Sequence, residues 1–495
     1  MKTLFLPLDE RPCNAQFPQM LANTNHQLTL FMPDEKILAH KRKPADFEGI
    51  KEYLLEHGNE VDNVVISLDM LLYGGLIPSR LHHLDVVELE NRLDVLAMLK
   101  IQNPQLKIYA FQCIMRCPQY NSSEEEPDYY EDYGYALFRK SYLEDKEARN
   151  TITKQEQSEL HSIHIPQEYE KDYENRRHTN VQMNVKTLEL LEKKIIDFLV
   201  IPQDDSSPYG YTAMDQKKIL SQVKEKKLEY QCMVYPGADE VGMSLLTRAY
   251  NDFYNQHISI YPLYASILGP TIIPRYEDRP MYESLKSHIQ VTGARMAHSI
   301  DDADAILAIN CPGKYMQESF DDEKDITYTS YRNLMSFALM IQDFIQKGYK
   351  VGLCDSAYSN GGDYDLIAYL DHFDVLDKLY AYAGWNTNCN TLGTVLSQMQ
   401  LADDIPLKNN IYRYLEDVFY QANVRKYVVE NDLKELGLSY YDFKDQQHVV
   451  EERISHYLIQ HYNKLNLSKK YPIQQLVITM PWKRMFEIGM KVTLR

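Results

Sequence analysis

Ten short apolar runs punctuate the chain, and almost every one runs into residues with chemical capacity. TLFLPLDERP (3–12) ends in Asp9 and Arg11, LTLFMPD (28–34) ends in Asp34, and NVVISLDMLLYGG (63–75) carries Asp69. KIYAFQCIMR (107–116) ends in Arg116, DFLVIPQDDSSPYG (197–210) carries Asp204 and Asp205, and YQCMVYPGADE (230–240) closes on Asp239 and Glu240. ISIYPLYASILG (258–269) is uncharged, and ADAILAINCPG (303–313) ends near Asn310. KVGLCDSAYSNGGD (350–363) carries Asp355, Asn360 and Asp363, and DKLYAYAGWNTNCN (377–390) carries Trp385 and Asn386. Between these runs, 86–102, 181–195, 243–256 and 331–348 repeat apolar residues at intervals of three and four, which predicts amphipathic helices.

Near-continuous apolar strands alternating with helices predict an α/β fold whose parallel sheet is covered on both faces. In such folds the functional site lies at the carboxyl ends of the strands, where the acids, arginines and asparagines of this chain fall. Ten strands exceed the eight of a closed barrel, so either a (β/α)8-like barrel carries extra strands or two α/β units pack together. The barrel-like core is the preferred expectation. It is assigned to residues 1–400 as a catalytic domain, with 401–495 as a mainly helical C-terminal region ending in a strand pair. Residues 118–180, acidic and Tyr-rich, interrupt the rhythm and read as an inserted helical segment or lid.

Composition narrows the class. The 495 residues are 44% hydrophobic and 25% charged, enough apolar material for a sizeable core. A net charge of −18 opposes nucleic-acid phosphates and anionic lipid, so neither is expected as a partner. The seven cysteines include no paired metal motif, and no run approaches the length of a membrane span or a signal-peptide core. A reduced, cytoplasmic protein is expected, with no cofactor and no metal. The sequence is silent on oligomeric state.

The carboxylate pairs carry the candidate chemistry. At a strand's end, where the backbone turns, adjacent acids can face one cleft, one polarising a substrate while the other transfers a proton. Asp239 and Glu240 are one such pair, although Asp239 also suits the cap of a helix beginning near Val241. Asp204 and Asp205 are a second, although an Asp before Ser-Ser-Pro-Tyr-Gly also suits a turn. Two carboxyls at the right separation fit glycoside hydrolysis. Alternatively Asp9, Asp69, Asp204, Asp205 and Glu240 could serve a divalent-metal hydrolase through oxygen ligands.

Arg11, Arg80 and Arg116 could hold an anionic group or pair with these acids. Asn360 and Asp363 of NGGD read as a tight loop or a ligand contact. Trp385 and Asn386 read as a sugar platform or a strand end closed by an Asx turn. No Gly-x-Ser-x-Gly elbow occurs, and none of the 15 histidines falls in the strand-end motifs.

Together, LPLDERP, SLDMLLYGGLIPSR, QDDSSPYG, YPGADE, NGGD, AYAGWNTNCNTLG and PWKRMFEI resemble, in order and over nearly the whole chain, the bacterial domain-of-unknown-function family 4127. A looser likeness is to substrate-assisted, retaining β-N-acetylhexosaminidases, in which the substrate's 2-acetamido oxygen attacks and an oxazoline forms. That likeness implies that Asp239 orients the acetamido N–H and Glu240 is the general acid/base, with Tyr209 and Trp385 lining the sugar pocket. Pro-Gly-Ala stands before the pair in place of His-x-Gly-Gly, and Asp204-Asp205 resembles the Asp-Asp variant of the same chemistry. The expected activity is therefore that of a glycosidase on a small carbohydrate, with Asp9, Arg11, Asp69, Arg80, Arg116, Asp355, Asn360, Asp363 and Asn386 as further substrate contacts. A non-catalytic sugar-binding protein is the expectation from a different class.

Overall fold

The computed structural model of the protein describes residues 1–495. All ten apolar runs form strands, but the strands build two open sheets and no closed barrel. The chain divides into two compact units, one comprising 1–10, 27–249 and 276–278, the other 11–26, 250–275 and 279–495. The division thus falls near residue 250, and the boundary expected at 400 lies inside the second unit.

The first unit holds β1 (Lys2–Leu6), β2 (Thr29–Phe31), β3 (Asn63–Ser67), β4 (Lys107–Phe111), β5 (Phe198–Val200) and β6 (Cys232–Met233). All pair in parallel, in the order β2-β1-β3-β4-β5-β6. Leu4, Leu6, Val64, Ile66, Ile108 and Leu199 from the strands pack with Leu89, Leu93, Leu96 and Leu99 of the helix Val86–Gln102. Burying each such side chain contributes about 1.5–3 kcal/mol. That helix starts where Asp85 accepts a hydrogen bond from the Glu88 N–H at 2.9 Å.

Residues 118–180 are helical as expected, with helices Tyr130–Ala148 and Lys154–Ser162 and the first half of Gln167–Glu192. They have a satellite core of Tyr130, Leu137, Phe138 and Tyr173 with Met115 and Cys117. The segment is tied down, because the Tyr173 hydroxyl and Arg177 Nη1 both donate to the Arg116 carbonyl, at 2.9 and 3.0 Å.

The second unit holds β7 (Ser259–Tyr264), β8 (Arg295–Met296), β9 (Ala305–Asn310), β10 (Gln317–Glu318), β11 (Lys350–Asp355), β12 (Tyr358–Ser359) and β13 (Ala381–Ala383). Five of these form a parallel sheet in the order β8-β7-β9-β11-β13, while β10 and β12 make a short parallel pair. Beyond them, Tyr414–Val424 and Val428–Asp432 are wound as π-helix, and β14 (Ile473–Thr479) pairs antiparallel with β15 (Gly489–Leu494).

Both sheets follow one rule. The second strand lies on one side of the first, and the third lies on the other. In a closed barrel each new strand advances in the same direction until the last meets the first. Here the direction reverses once per sheet, so β2 and β6, and β8 and β13, are left as edges. This is the doubly wound arrangement, whose ligands bind outside the strand carboxyl ends near the reversal. The apolar pattern does not separate it from a barrel, because both architectures bury their strands on both faces.

Candidate functional site

In the first unit, two arginines gather four carboxylates at the strand carboxyl ends. Arg80 Nη1 stands 2.9 Å from Glu125 Oε2 and 3.3 Å from Glu126 Oε1, and its Nη2 lies 2.7 Å from Asp204 Oδ2. Arg116 reaches Glu126 Oε1 at 2.7 Å through Nε, Glu125 Oε2 at 2.9 Å through Nη2 and Asp205 Oδ2 at 3.3 Å through Nη1. Arg80 is held by the short helix Pro78–Leu81, and Asp204 and Asp205 sit in the turn after β5. Glu125 and Glu126, which sequence reasoning missed, come from the inserted segment. Their only local signal was an acidic triplet before a proline.

Four carboxylates against two guanidiniums leave an excess of negative charge. Burial, together with the Asp204 charge, pushes the Asp205 carboxyl up to about 6. Asp205 also holds a left-handed backbone, φ 46°, a conformation that costs energy in a residue other than glycine and that Asp tolerates better than most. Glu126 is wholly buried, its carboxyl is raised by that burial, and its Oε2 has no hydrogen-bond partner. Nearby, Asp69 accepts from the Cys113 backbone N–H at 2.9 Å, and burial pushes its carboxyl up to about 7. Cys113 feels the charges of Asp69, Asp204 and Asp239, so these three acids share one neighbourhood.

The two acid pairs differ in access. The Asp204 and Asp205 side chains are 14% and 22% exposed, whereas Glu240 is 0% exposed. Glu240 Oε2 accepts from the Ala238 N–H at 3.0 Å, and its carboxylate lies so close beneath Gly237 that no Cβ fits there. Glu240 thus braces its own Pro-Gly-Ala turn, which corrects its expected place facing a cleft. Asp239 is also buried.

Tyr209 has aromatic and cationic neighbours from the inserted segment. It packs edge-on against Tyr142 of the inserted segment, under the Arg149 guanidinium at 4.9 Å. Asp9 is buried in the loop after β1. The acids of the metal-centred alternative are not gathered as ligands, since no three His, Cys, Asp or Glu side chains stand together for one ion.

The remaining predicted residues, Arg11, Asp355, Asn360, Asp363, Trp385 and Asn386, belong to the second unit. Asp355, at the end of β11, accepts from Asn310 Nδ2 (2.8 Å), the Tyr382 hydroxyl (2.8 Å) and the Asp363 N–H (2.7 Å). Arg332 closes the network, donating to Asn310 Oδ1 at 2.8 Å and pairing with Asp363 Oδ2 at 2.8 Å. Burial and the Asp363 charge push Asp355 up to about 7. Asp355 and Asp363 are buried and hold the loops, which corrects their expected role as substrate contacts.

Arg11, Asn360, Trp385 and Asn386 instead line a recess of about 410 Å3, counting the solvent at its mouth. Glu416 and Gln421 of the π-helical segment and Phe486, Glu487 and Ile488 of the C-terminal hairpin turn complete the wall. The loops meet where the Asn360 N–H donates to the Asn386 carbonyl at 2.8 Å.

A model of the family described as "Protein of unknown function (DUF4127)" matches residues 3–491. The chain belongs to the DUF4127 family. No curated protein matches it. Four of the motifs by which the chain resembles this family, DERP, NGGD, AGWN and PWKRMFEI, contribute residues to the second-unit recess, while QDDSSPYG and LIPSR contribute to the arginine–carboxylate cluster. No helix of this DUF4127 protein is long and apolar enough to cross a membrane, and all seven cysteines are buried.

Proposed function

We propose that this protein is a cytoplasmic glycoside hydrolase, a retaining β-N-acetylhexosaminidase that works by substrate assistance through Asp204 and Asp205. The observation that carries the reading is the environment of Asp205. Its carboxyl is accessible, is raised to about 6 and adjoins a carboxylate that Arg80 holds at 2.7 Å. Adjacent acids in such unequal settings are the pattern of an acid/base residue beside an orienting one.

In this reading Asp204 accepts the acetamido N–H and directs the acetamido oxygen at the anomeric carbon. The carbon–oxygen glycosidic bond breaks as Asp205 gives its proton to the leaving oxygen, and an oxazoline forms. Water then attacks, and Asp205 takes back a proton. The pair would work at the strand carboxyl ends of an open sheet, so the likeness to the hexosaminidases is one of chemistry and not of fold.

The test is release of aryl groups from N-acetylglucosaminides, N-acetylgalactosaminides and unsubstituted glycosides, with and without chelator. Chelator-resistant release confined to N-acetyl sugars and lost in Asp205→Asn supports the reading. No release from any glycoside overturns it, and release abolished by chelator transfers the assignment to a metal-dependent hydrolase.

A further inference from the structure

We propose that Glu125 of the inserted segment is a positioning residue for the acid pair: it draws Arg80 and Arg116 onto one oxygen, so that Asp204 keeps a close guanidinium, Asp205 does not, and the proton to be transferred sits on Asp205. The inference rests on the hydrolase reading of that pair, and it names what makes the two acids unequal.

Glu125 Oε2 stands 2.9 Å from Arg80 Nη1 and 2.9 Å from Arg116 Nη2. Two guanidiniums side by side repel, and a shared carboxylate oxygen holds them together. Glu126 Oε1 makes a second bridge, at 3.3 Å to Arg80 Nη1 and 2.7 Å to Arg116 Nε. Each arginine then has one nitrogen in contact with the acid pair. Arg80 Nη2 reaches Asp204 at 2.7 Å, and Arg116 Nη1 reaches Asp205 at 3.3 Å.

Those two distances differ in consequence. A charge-assisted N–H···O bond runs at about 2.7–2.9 Å, so Asp204 receives one at full strength and Asp205 a stretched one. Arg116 has committed its Nε and Nη2 to the two glutamates. With both Nη atoms free, its fork would match the two oxygens of Asp205, an arrangement that strongly favours a carboxylate. Glu125 withholds that fork. Its own negative charge acts on Asp205 in the same direction, because a like charge nearby disfavours ionisation.

Asp205 faces Asp204 on its own turn, Arg80 on the helix Pro78–Leu81, Arg116 after β4, and Glu125 and Tyr120 from the inserted segment. The arginines favour its ionised form, and Asp204 and Glu125 oppose it. Glu125 touches both arginines without belonging to the pair, so changing it shifts the balance and removes no reacting group.

Glu125 is also held in place. Arg42 Nη1 donates to the Glu126 carbonyl at 3.1 Å and Nη2 pairs with Asp128 at 2.7 Å, while Lys41 pairs with Glu124 at 2.5 Å. These contacts fix the chain on both sides of Glu125, in a stretch with no helix or strand of its own.

The experiment labels the aspartate carboxyl carbons of the full chain with 13C and follows the Asp205 signal, the one lost in Asp205→Asn, from pH 4 to 9. The pH–rate profile on the aryl N-acetylglucosaminide is recorded beside it. Glu125→Gln keeps the side chain's shape and removes its charge. In it the Asp205 midpoint and the alkaline limb of the rate should both move to lower pH by about one pH unit, a tenfold loss of proton affinity. Glu124→Gln removes an equal charge from the Lys41 pair and should move neither. Should Glu125→Gln fail to fold by circular dichroism, Glu125→Asp takes its place. Its carboxylate is drawn back by one methylene, and a smaller shift in the same direction is expected. A carboxyl midpoint that stays put in the folded variant overturns the inference even where turnover falls, because Glu125 is then structural only. A midpoint that moves in a protein that cleaves no glycoside upholds the action of Glu125 on Asp205 and overturns the hydrolase reading instead.

Discussion

Arg80, with a side chain only 2% exposed, donates to Asp204 Oδ2 at 2.7 Å and so fixes one member of an adjacent carboxylate pair while the other keeps a raised proton affinity. Removing the guanidinium would leave Asp204 and the buried Glu126 with less compensation. Arg80→Met should therefore destabilise the protein by about 3–5 kcal/mol, the range for breaking a buried ion pair from one side. Urea denaturation read by circular dichroism checks this, and a loss below about 1 kcal/mol would show that the cluster is solvated and weak.

Asp205→Asn should lower kcat/KM on a reactive N-acetyl glycoside by about 10²–10⁴-fold with little change in stability. In the parent protein the acid form is needed, and it is depleted as pH rises past about 6. Activity should therefore fall on the alkaline side, approaching tenfold per pH unit, and the variant should lose that limb. A pH–rate profile over pH 4–9 decides the matter, and an unchanged profile would remove Asp205 from the chemistry.

Asp355 predicts a pH dependence of stability. Its native carboxyl titrates near 7 against an ordinary value of 3.8, so the native state holds the proton more tightly than the unfolded chain. The resulting stabilisation is fully present below about pH 4 and is lost as pH rises through 7, at no more than about 1.4 kcal/mol per pH unit. Thermal midpoints between pH 4 and 8 should decline less steeply in Asp355→Asn than in the parent. Parallel curves would mean that Asp355 is ionised throughout.

Gly362→Ala should destabilise the second unit. The added methyl would collide with the Tyr382 hydroxyl and come within 3.0 Å of Asp355 Oδ2, and both groups are already locked in the Asn310–Arg332–Asp363 network. A cost of about 1–3 kcal/mol is expected from overpacking. Denaturation midpoints of the alanine and parent proteins measure it directly, and equal midpoints would show that the loop yields freely.

The chain's local pattern was enough to place all ten main strands, the helix Val86–Gln102 to the residue and the helical character of 118–180. Strands covered on both faces must be apolar almost throughout, and amphipathic helices repeat at three and four, so these elements are written in nearest neighbours. For the same reason the functional candidates could be found at strand ends. Several motifs read separately in the sequence do meet in space, with Arg11, Asn360, Trp385 and Asn386 around one recess and Asp204, Asp205, Arg80 and Arg116 in one cluster.

What tertiary structure alone decided was the order of the strands and the company each side chain keeps. The reversal after the second strand of each sheet makes two open sheets in place of an expected barrel. Tertiary structure also puts Trp385 and Tyr209, which a shared sugar pocket had joined, in different units. It also buries Glu240 beneath its own turn and brings Glu125 and Glu126 onto Arg80 and Arg116. Periodicity reports whether a residue faces a core, but strand order and charge pairing depend on contacts between segments distant in the chain, which no local pattern encodes.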